Sequence, residues 1–316
     1  MGSSLFSTLQ LTAPIFLLMA VGYVAVRSKY FPAEGIGGLS AFVAKIAVPV
    51  LIFRALAERD IAEIFNLPYL LAYTLASLLP FAAAFIYAKK LREQDNVSAA
   101  FYGMGSSFSN SVMVGLPIVT ALFGEAALVP FALTLLVENL VMMPMTLAIA
   151  DSAKREQSSF IGRALGTLPT IARNPIVVAI CLGVIASLIK LPIPNVGSKL
   201  MELLAASVTG AALFAVGGML VGLRVGTLLK DLSVIAGCKL ILHPLAAVAA
   251  FTLIPGIAPE HAKVAILLAC SPMFGIYAVI GAQYGKGQFC AAAMLPTTVF
   301  SFITISVALA FMLAES

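Results

Sequence analysis

Charge is what this sequence has least of. Asp, Glu, Lys and Arg make up 10% of its 316 residues, where a soluble domain carries about 25%. So few charges cannot cover a water-facing surface, and most of this one must face lipid. Cysteine is sparse too. Cys181, Cys238, Cys270 and Cys290 stand singly in apolar runs with no CxxC spacing, which argues against disulfides and zinc. There is no HExxH, no Walker loop and no aspartate-rich motif to hold magnesium diphosphate. An intramembrane enzyme would need a second catalytic group beside Glu138, and none stands out, so the chain is not expected to be an enzyme. No cofactor is expected beyond a coupling proton or sodium ion. The net charge of +5 sits in loops, where membrane topology explains it better than a nucleic-acid partner does.

What is present is a succession of apolar runs, with 61% hydrophobic residues and a mean hydropathy of +1.06. A span takes about 20 residues, so the length suits an all-α polytopic membrane protein of ten transmembrane helices. Spans are expected at 5–26, 36–57, 67–88, 98–122, 127–150, 175–191, 200–223, 232–254, 263–284 and 288–313. The first run is too long and unbroken for a signal-peptide core and reads as a span. The odd-numbered loops carry Arg27, Lys29, Lys89, Lys90, Arg92, Lys154, Arg155, Arg163, Arg173, Arg224, Lys230 and Lys286, twelve of nineteen basic residues. The even loops hold Arg54, Arg59, Lys190, Lys199 and Lys263. Basic residues gather on the cytoplasmic side, which puts both termini outside.

The basic stretch 151–174 divides the chain into residues 1–150 and 175–316, five spans each. An odd number of spans per half gives the halves opposite orientations. Prolines fall in step: Pro14 with Pro175, Pro80 with Pro244, Pro117 with Pro272 and Pro144 with Pro296. Transporters built on inverted repeats bind substrate near the midplane, between the repeats.

The fourth span is rich in small and polar residues from Gly103 to Gly115 before it meets Pro117. Proline lacks the N–H and biases Leu116 away from helical geometry, so the helix is expected to break there and restart at Pro117. The ninth span repeats the pattern at Ser271-Pro272. Two helix N-termini facing each other would make an anion site with no basic side chain. Asn110, Ser109, Gly115, Pro117, Ser271 and Pro272 are the candidate substrate-binding residues. Kinked, closely packed helices are the plainer alternative.

Glu138 is the one carboxylate near the middle of a span, with Asn139 beside it. A lone charge there costs about 2.5–3.5 kcal/mol on insertion scales, so Glu138 is either a proton carrier or ligand-orienting group, or a neutral acid bonded to a neighbouring helix. Lys239 and Lys45 are the buried cations. Either would neutralise an anionic substrate or pair with Glu138, and either can instead snorkel. His243 reads as a packed residue. Thr297, Ser301 and Thr304 share one face and line the interior or bond helix to helix.

Several stretches resemble the auxin efflux carrier family, which includes plant auxin carriers and bacterial malonate and malate permeases. The stretch from Asn110 to Pro117 looks like that family's N-x-x-x-x-G-x-P crossover, followed by Leu122-Phe123-Gly124. Ala47-Val48-Pro49, Ala212-Leu213-Phe214 with Gly217, Lys239 to Pro244, and Ser271-Pro272 are similar to its second, seventh, eighth and ninth spans. The resemblance implies two inverted five-helix repeats with broken, crossing helices four and nine. It implies a scaffold of spans one, two, six and seven, a transport domain of the others, and elevator-type alternating access. Asn110 would then contact a substrate carboxylate, and Lys239 would join the site. Plant members carry an aspartate in the third span where Tyr73 falls here, so the proton coupling assigned to that aspartate does not carry over, and whether Glu138 takes it over is an open point. The short tails and central loop look bacterial, which implies the inner membrane. The expected partners are a small organic anion, the bilayer and, as an open case, a second copy in a homodimer. A sodium-coupled symporter of the bile-acid type is the alternative, with a membrane enzyme or sensor behind it.

Overall fold

The computed structural model describes residues 2–59, 64–151, 161–162, 166–222 and 229–314, and among them every regular element is helical. Lipid offers no partner to a backbone N–H or C=O, so a chain this apolar must satisfy them within each segment. The helices are α1 (Gly2–Arg27), α2 (Ala33–Ala57), α3 (Leu67–Leu91), α4 (Asn96–Ser107), α5 (111–123), α6 (128–150), α7 (Pro175–Leu188), α8 (Asn195–Met219), α9 (Lys230–Leu253), α10 (Pro259–Cys270), α11 (Tyr277–Gln283) and α12 (Gly287–Ala314). A single turn, Leu168–Ala172, precedes α7. Lys154, Arg155 and Arg163 of the basic linker lie outside the described residues, as does Arg224.

Among the described residues, six stretches are long and apolar enough to cross a membrane: Ala33–Ala57, Leu67–Leu91, Asn96–Ala150, Asn195–Met219, Lys230–Leu253 and Gly287–Met312. The third has 55 residues, long enough for about two passes. It turns at Gly124, whose φ of +57° suits a residue without Cβ. Ala13–Arg27 and Pro175–Leu188 are shorter apolar helices. Outward faces are apolar: Leu71, Leu75 and Leu79 stand exposed at helical spacing on α3, as do Ile303, Val307 and Phe311 on α12. In water this would be an aggregation surface; against acyl chains it is the matching one.

The helices pack in two sets. In the first, α1 lies along α8 and α2 along α7, with α8 also against α2. Gly22 and Gly217 allow the α1–α8 approach, because a Cβ at either would overlap the facing backbone of Phe214 or Met19. In the second, α3 lies along α9 and α4, α4 along α6, α9 along α10, and α11 along α12. The sets meet where α5 touches α8 and α1, where α1 touches α12, and where α6 touches α2 and α7.

Loops sort to two ends. At one, Arg92 holds Asp231 through Nε at 2.8 Å and Nη2 at 3.0 Å, Lys286 lies 3.8 Å from Asp95, and Tyr284 donates to Asp151 at 2.8 Å. At the other, Arg54 lies 3.7 Å from Glu125, Ser187 donates to the Arg59 carbonyl at 2.6 Å, and Asn66 donates to the Gly256 carbonyl at 3.3 Å. Each end joins only odd-numbered or only even-numbered loops, as alternating spans require.

Candidate functional site

Helix α4 ends at Ser107, and Phe108 leaves it with extended backbone (φ −83°, ψ 138°). Asn110 then starts α5 as its N-cap, its side-chain oxygen accepting from Met113 N at 3.3 Å. Asparagine is favoured there because it replaces the orphan bonds of a helix start. The break therefore lies at Phe108–Asn110 and not at Leu116–Pro117, where the proline alone had placed it. Pro117 is the seventh residue of α5 and follows the π-helical turn Ser111–Gly115, a local distortion that accommodates a proline, and the helix runs through it. In the ninth span the helix stops at Ser271-Pro272 as expected but does not restart at the proline: α10 ends at Cys270, residues 271–276 are not helical, and α11 starts at Tyr277 without a side-chain cap.

The two breaks touch. Asn110 N donates to Pro272 O at 2.6 Å, and the rings of Phe108 and Phe274 stack with centroids 5.1 Å apart. Gly115 makes room for this, since a Cβ on it would stand 2.5 Å from Leu268 Cδ2 and 3.2 Å from Ser271 Oγ.

Ser109-Asn110-Ser111 forms the hub. On one side, Ser111 Oγ donates to Glu138 Oε1 at 2.9 Å, and Tyr73 OH approaches the same oxygen at 3.4 Å. On the other, Lys239 Nζ donates to Ser109 Oγ at 2.7 Å and to Ala269 O at 2.9 Å, and meets His243 Nδ1 at 2.9 Å. His243 Nε2 faces Ser77 Oγ at 3.3 Å. Glu138, Lys239, His243, Ser109, Asn110 and Ser111 are all buried. Glu138 and Lys239 each stand in a π-helical turn, Val137–Met142 and Cys238–Leu242, a distortion found often at functional sites. Among the described residues no ion pair joins Glu138 to Lys239; the hub stands between them. Nor does any described group accept from the Asn110 side-chain amide, leaving its two donors open.

Of the expected residues, Ser109, Asn110, Gly115, Ser271, Pro272, Lys239 and Glu138 meet at the crossing. Pro117 is buried further along α5. Asn139 points elsewhere: it donates to Leu135 O at 2.8 Å and accepts from Asn174 Nδ2 at 2.8 Å, tying α6 to the start of α7. Adjacent helical residues face directions about 100° apart, so both could not reach one site. Lys45 lies exposed on α2. Thr297 and Ser301 bond carbonyls of their own helix at 2.7 Å. Sequence reading passed over Ser111, Ser77 and the closeness of Tyr73 to Glu138. The signal for Ser111 was its place beside Asn110; the other two lie far from their partners in the chain.

A cleft of about 310 Å³ separates the sets beside α5, lined among others by Arg54 of α2, Leu116 and Thr120 of α5 and Thr209 of α8. It adjoins a wider cavity of about 600 Å³ lined by Arg54, Arg59, Glu58, Glu125, Ser187 and Lys190. Both lie at the end of the even-numbered loops.

Comparison with known proteins matches residues 8–309 to the model of a family described as membrane transport protein. A protein of Rhizobium meliloti (strain 1021) named as a candidate malonate transporter is 29% identical over 300 residues, covering 94% of this chain and 93% of that one. The uncharacterised transporter YfdV of Escherichia coli (strain K12) is 23% identical over 301 residues, covering 92% of both. Auxin efflux carrier component 7 of Arabidopsis thaliana is 28% identical over 123 residues, 38% of this chain and 20% of the plant protein.

Proposed function

The chain belongs to the membrane transport protein family, that of the auxin efflux carriers, and from that premise we propose that it carries a small carboxylate, such as malonate or malate, by elevator-type alternating access. It is a multi-pass membrane transporter and not an enzyme. In this reading ten spans form two inverted repeats, 1–150 and 175–316, joined by the linker 151–174. Helices α1, α2, α7 and α8 are the scaffold, and α3–α6 with α9–α12 move. The separate packing of the two sets supports this, as does the cleft between α2, α8 and α5.

One observation carries the substrate reading. The Asn110 amide presents two unspent donors at the crossing, beside the N-terminus of α5. A carboxylate is an acceptor-only group, and a helix start favours negative charge. Ser271 and Pro272 line the opposite break, and Gly115 lets them approach. Glu138, on the far side of Ser111, carries the coupling proton. Arg54, Arg59 and Lys190 at the cavity mouth draw anions in from the outer side. The protein sits in a bacterial inner membrane with both termini outside, as a monomer or homodimer. The name of the Rhizobium meliloti relative favours malonate first.

Uptake of labelled malonate and malate into proteoliposomes under a pH gradient tests this. Accumulation that collapses when the gradient is dissipated supports proton coupling. Absence of any carboxylate flux defeats the reading. The bile-acid-type alternative predicts uptake that requires sodium.

A further inference from the structure

The two sets of helices part at one end and are fastened deeper down. Both cavities open at the end of the even-numbered loops, and Leu128 at the start of α6 lines each of them. There the sets meet through Arg54 and Glu125 at 3.7 Å, with the Glu125 side chain 74% exposed. An exposed ion pair at that distance contributes little. Asn139 lies further along α6, about 16 Å from Leu128 at the helical rise per residue. At that depth Asn174 Nδ2 donates to Asn139 Oδ1 at 2.8 Å, joining the start of α7 to the middle of α6.

Both members of this pair are held from behind. The Asn139 amide donates to Leu135 O at 2.8 Å, so its nitrogen must stand on that side. Asn174 accepts from Ile176 N at 2.9 Å as the N-cap of α7, so its oxygen must stand on that side. Each backbone partner settles which way its amide is turned. The two ends left over are one acceptor and one donor, and they meet. Asn139 shares the π-helical turn Val137–Met142 with Glu138. Neighbours on a helix face directions about 100° apart, so this turn holds the hub on one face and the start of α7 on another.

We propose that the Asn139–Asn174 bond is a latch between the moving set and the scaffold. It pins the conformer whose cleft opens at the even-numbered loops, and it must break before the opposite conformer forms. Hydrogen bonds do not survive a displacement of a few ångströms, so any slide of α6 past α7 releases it. The proposal rests on the scaffold-and-mover reading above.

Maleimide labelling of the purified full-length protein tests the latch without any substrate. Thr209 of α8 lines the cleft. Ala212, about one helical turn further on, is fully buried and is reached only when the sets part below the cleft. Thr209→Cys thus reports the conformer seen and Ala212→Cys the opposite one, each rate read at its own site by peptide mass. Asn139→Ala is expected to quicken labelling of A212C about fivefold, the weight of one neutral hydrogen bond, and not to quicken that of T209C. Asn174→Ser keeps a capping oxygen for α7 but falls short of Asn139, and the same result is expected. The two changes together are expected to do no more than either alone. Faster labelling at both sites would show general loosening and overturn the latch. So would an unchanged rate at A212C, or effects that add. Should A212C not fold, Leu213→Cys, buried on the same stretch of α8, takes its place. Failure of carboxylate uptake by the unmodified protein would count against the carrier reading, while the labelling rates decide the latch.

Discussion

The first break occupies Phe108–Asn110 and closes with its own side chain; the second occupies Ser271–Ile276 and does not. Asn110 caps α5, gives its backbone N–H to Pro272 and keeps its amide donors open. At the second break Ile276 has no side-chain oxygen to offer, and it stands 55% exposed while Asn110 stands 8% exposed. Two similar interruptions thus differ in firmness. A capped, buried break holds its donors in place at little entropic cost on binding. The uncapped one, buried at Ser271–Met273 and exposed at Ile276, leaves the first N–H groups of α11 without a side-chain partner, and the domain movement proposed above would draw on that looser end.

That contrast can be broken most severely at Asn110. Asn110→Ala is expected to cut carboxylate uptake more than tenfold with protein yield unchanged. Asn110→Asp keeps the capping oxygen but replaces the donors by a charge, so it should recover melting temperature and not uptake. If Asp restored both, Asn110 would be a cap and nothing more.

The contact between the breaks comes next. Gly115→Val puts atoms into space held by Leu268 and Ser271, and overpacking of this kind costs about 1–3 kcal/mol. A matching fall in denaturation midpoint is expected, with uptake lost alongside.

Smaller effects lie at the entrances to the broken helices. Asp95 caps α4, accepting from Ser98 N at 2.6 Å. That backbone N–H, helped by Lys286 and Lys89, holds the Asp95 carboxyl below its usual range. A lowered folded pKa means that its contribution is present above the ordinary carboxylate value and fades as pH falls through the lowered one. Asp95→Ala should cost about 0.5 kcal/mol near neutrality and nothing in strong acid; an equal loss at both would refute the capping account. Least of all, Ile276→Asn gives the second break the cap it lacks. Its backbone (φ −90°, ψ 5°) is not the extended one a cap prefers, so a gain of only ~0.3 kcal/mol is expected, together with slower uptake. Faster uptake would overturn the link between looseness and transport.

The sequence alone determined that this chain lives in lipid, that it is helical throughout its apolar runs, that its basic loops share a side and that its fourth and ninth spans are interrupted. Those properties are local: they sum over a window of neighbours, and apolar surface or a missing N–H costs the same wherever the chain goes. Proline misled about the position of the first break because the helix runs through it behind a π-helical turn, while a cap seven residues earlier needed only one asparagine. Tertiary structure decided the rest. Which carbonyl Lys239 reaches, that Tyr73 leans on Glu138, and that Asn139 turns toward Asn174 all depend on side chains from separate helices arriving within 3.5 Å of each other. Hydrogen bonds are lost within an ångström of misplacement, and no periodicity along one helix sets a distance to another.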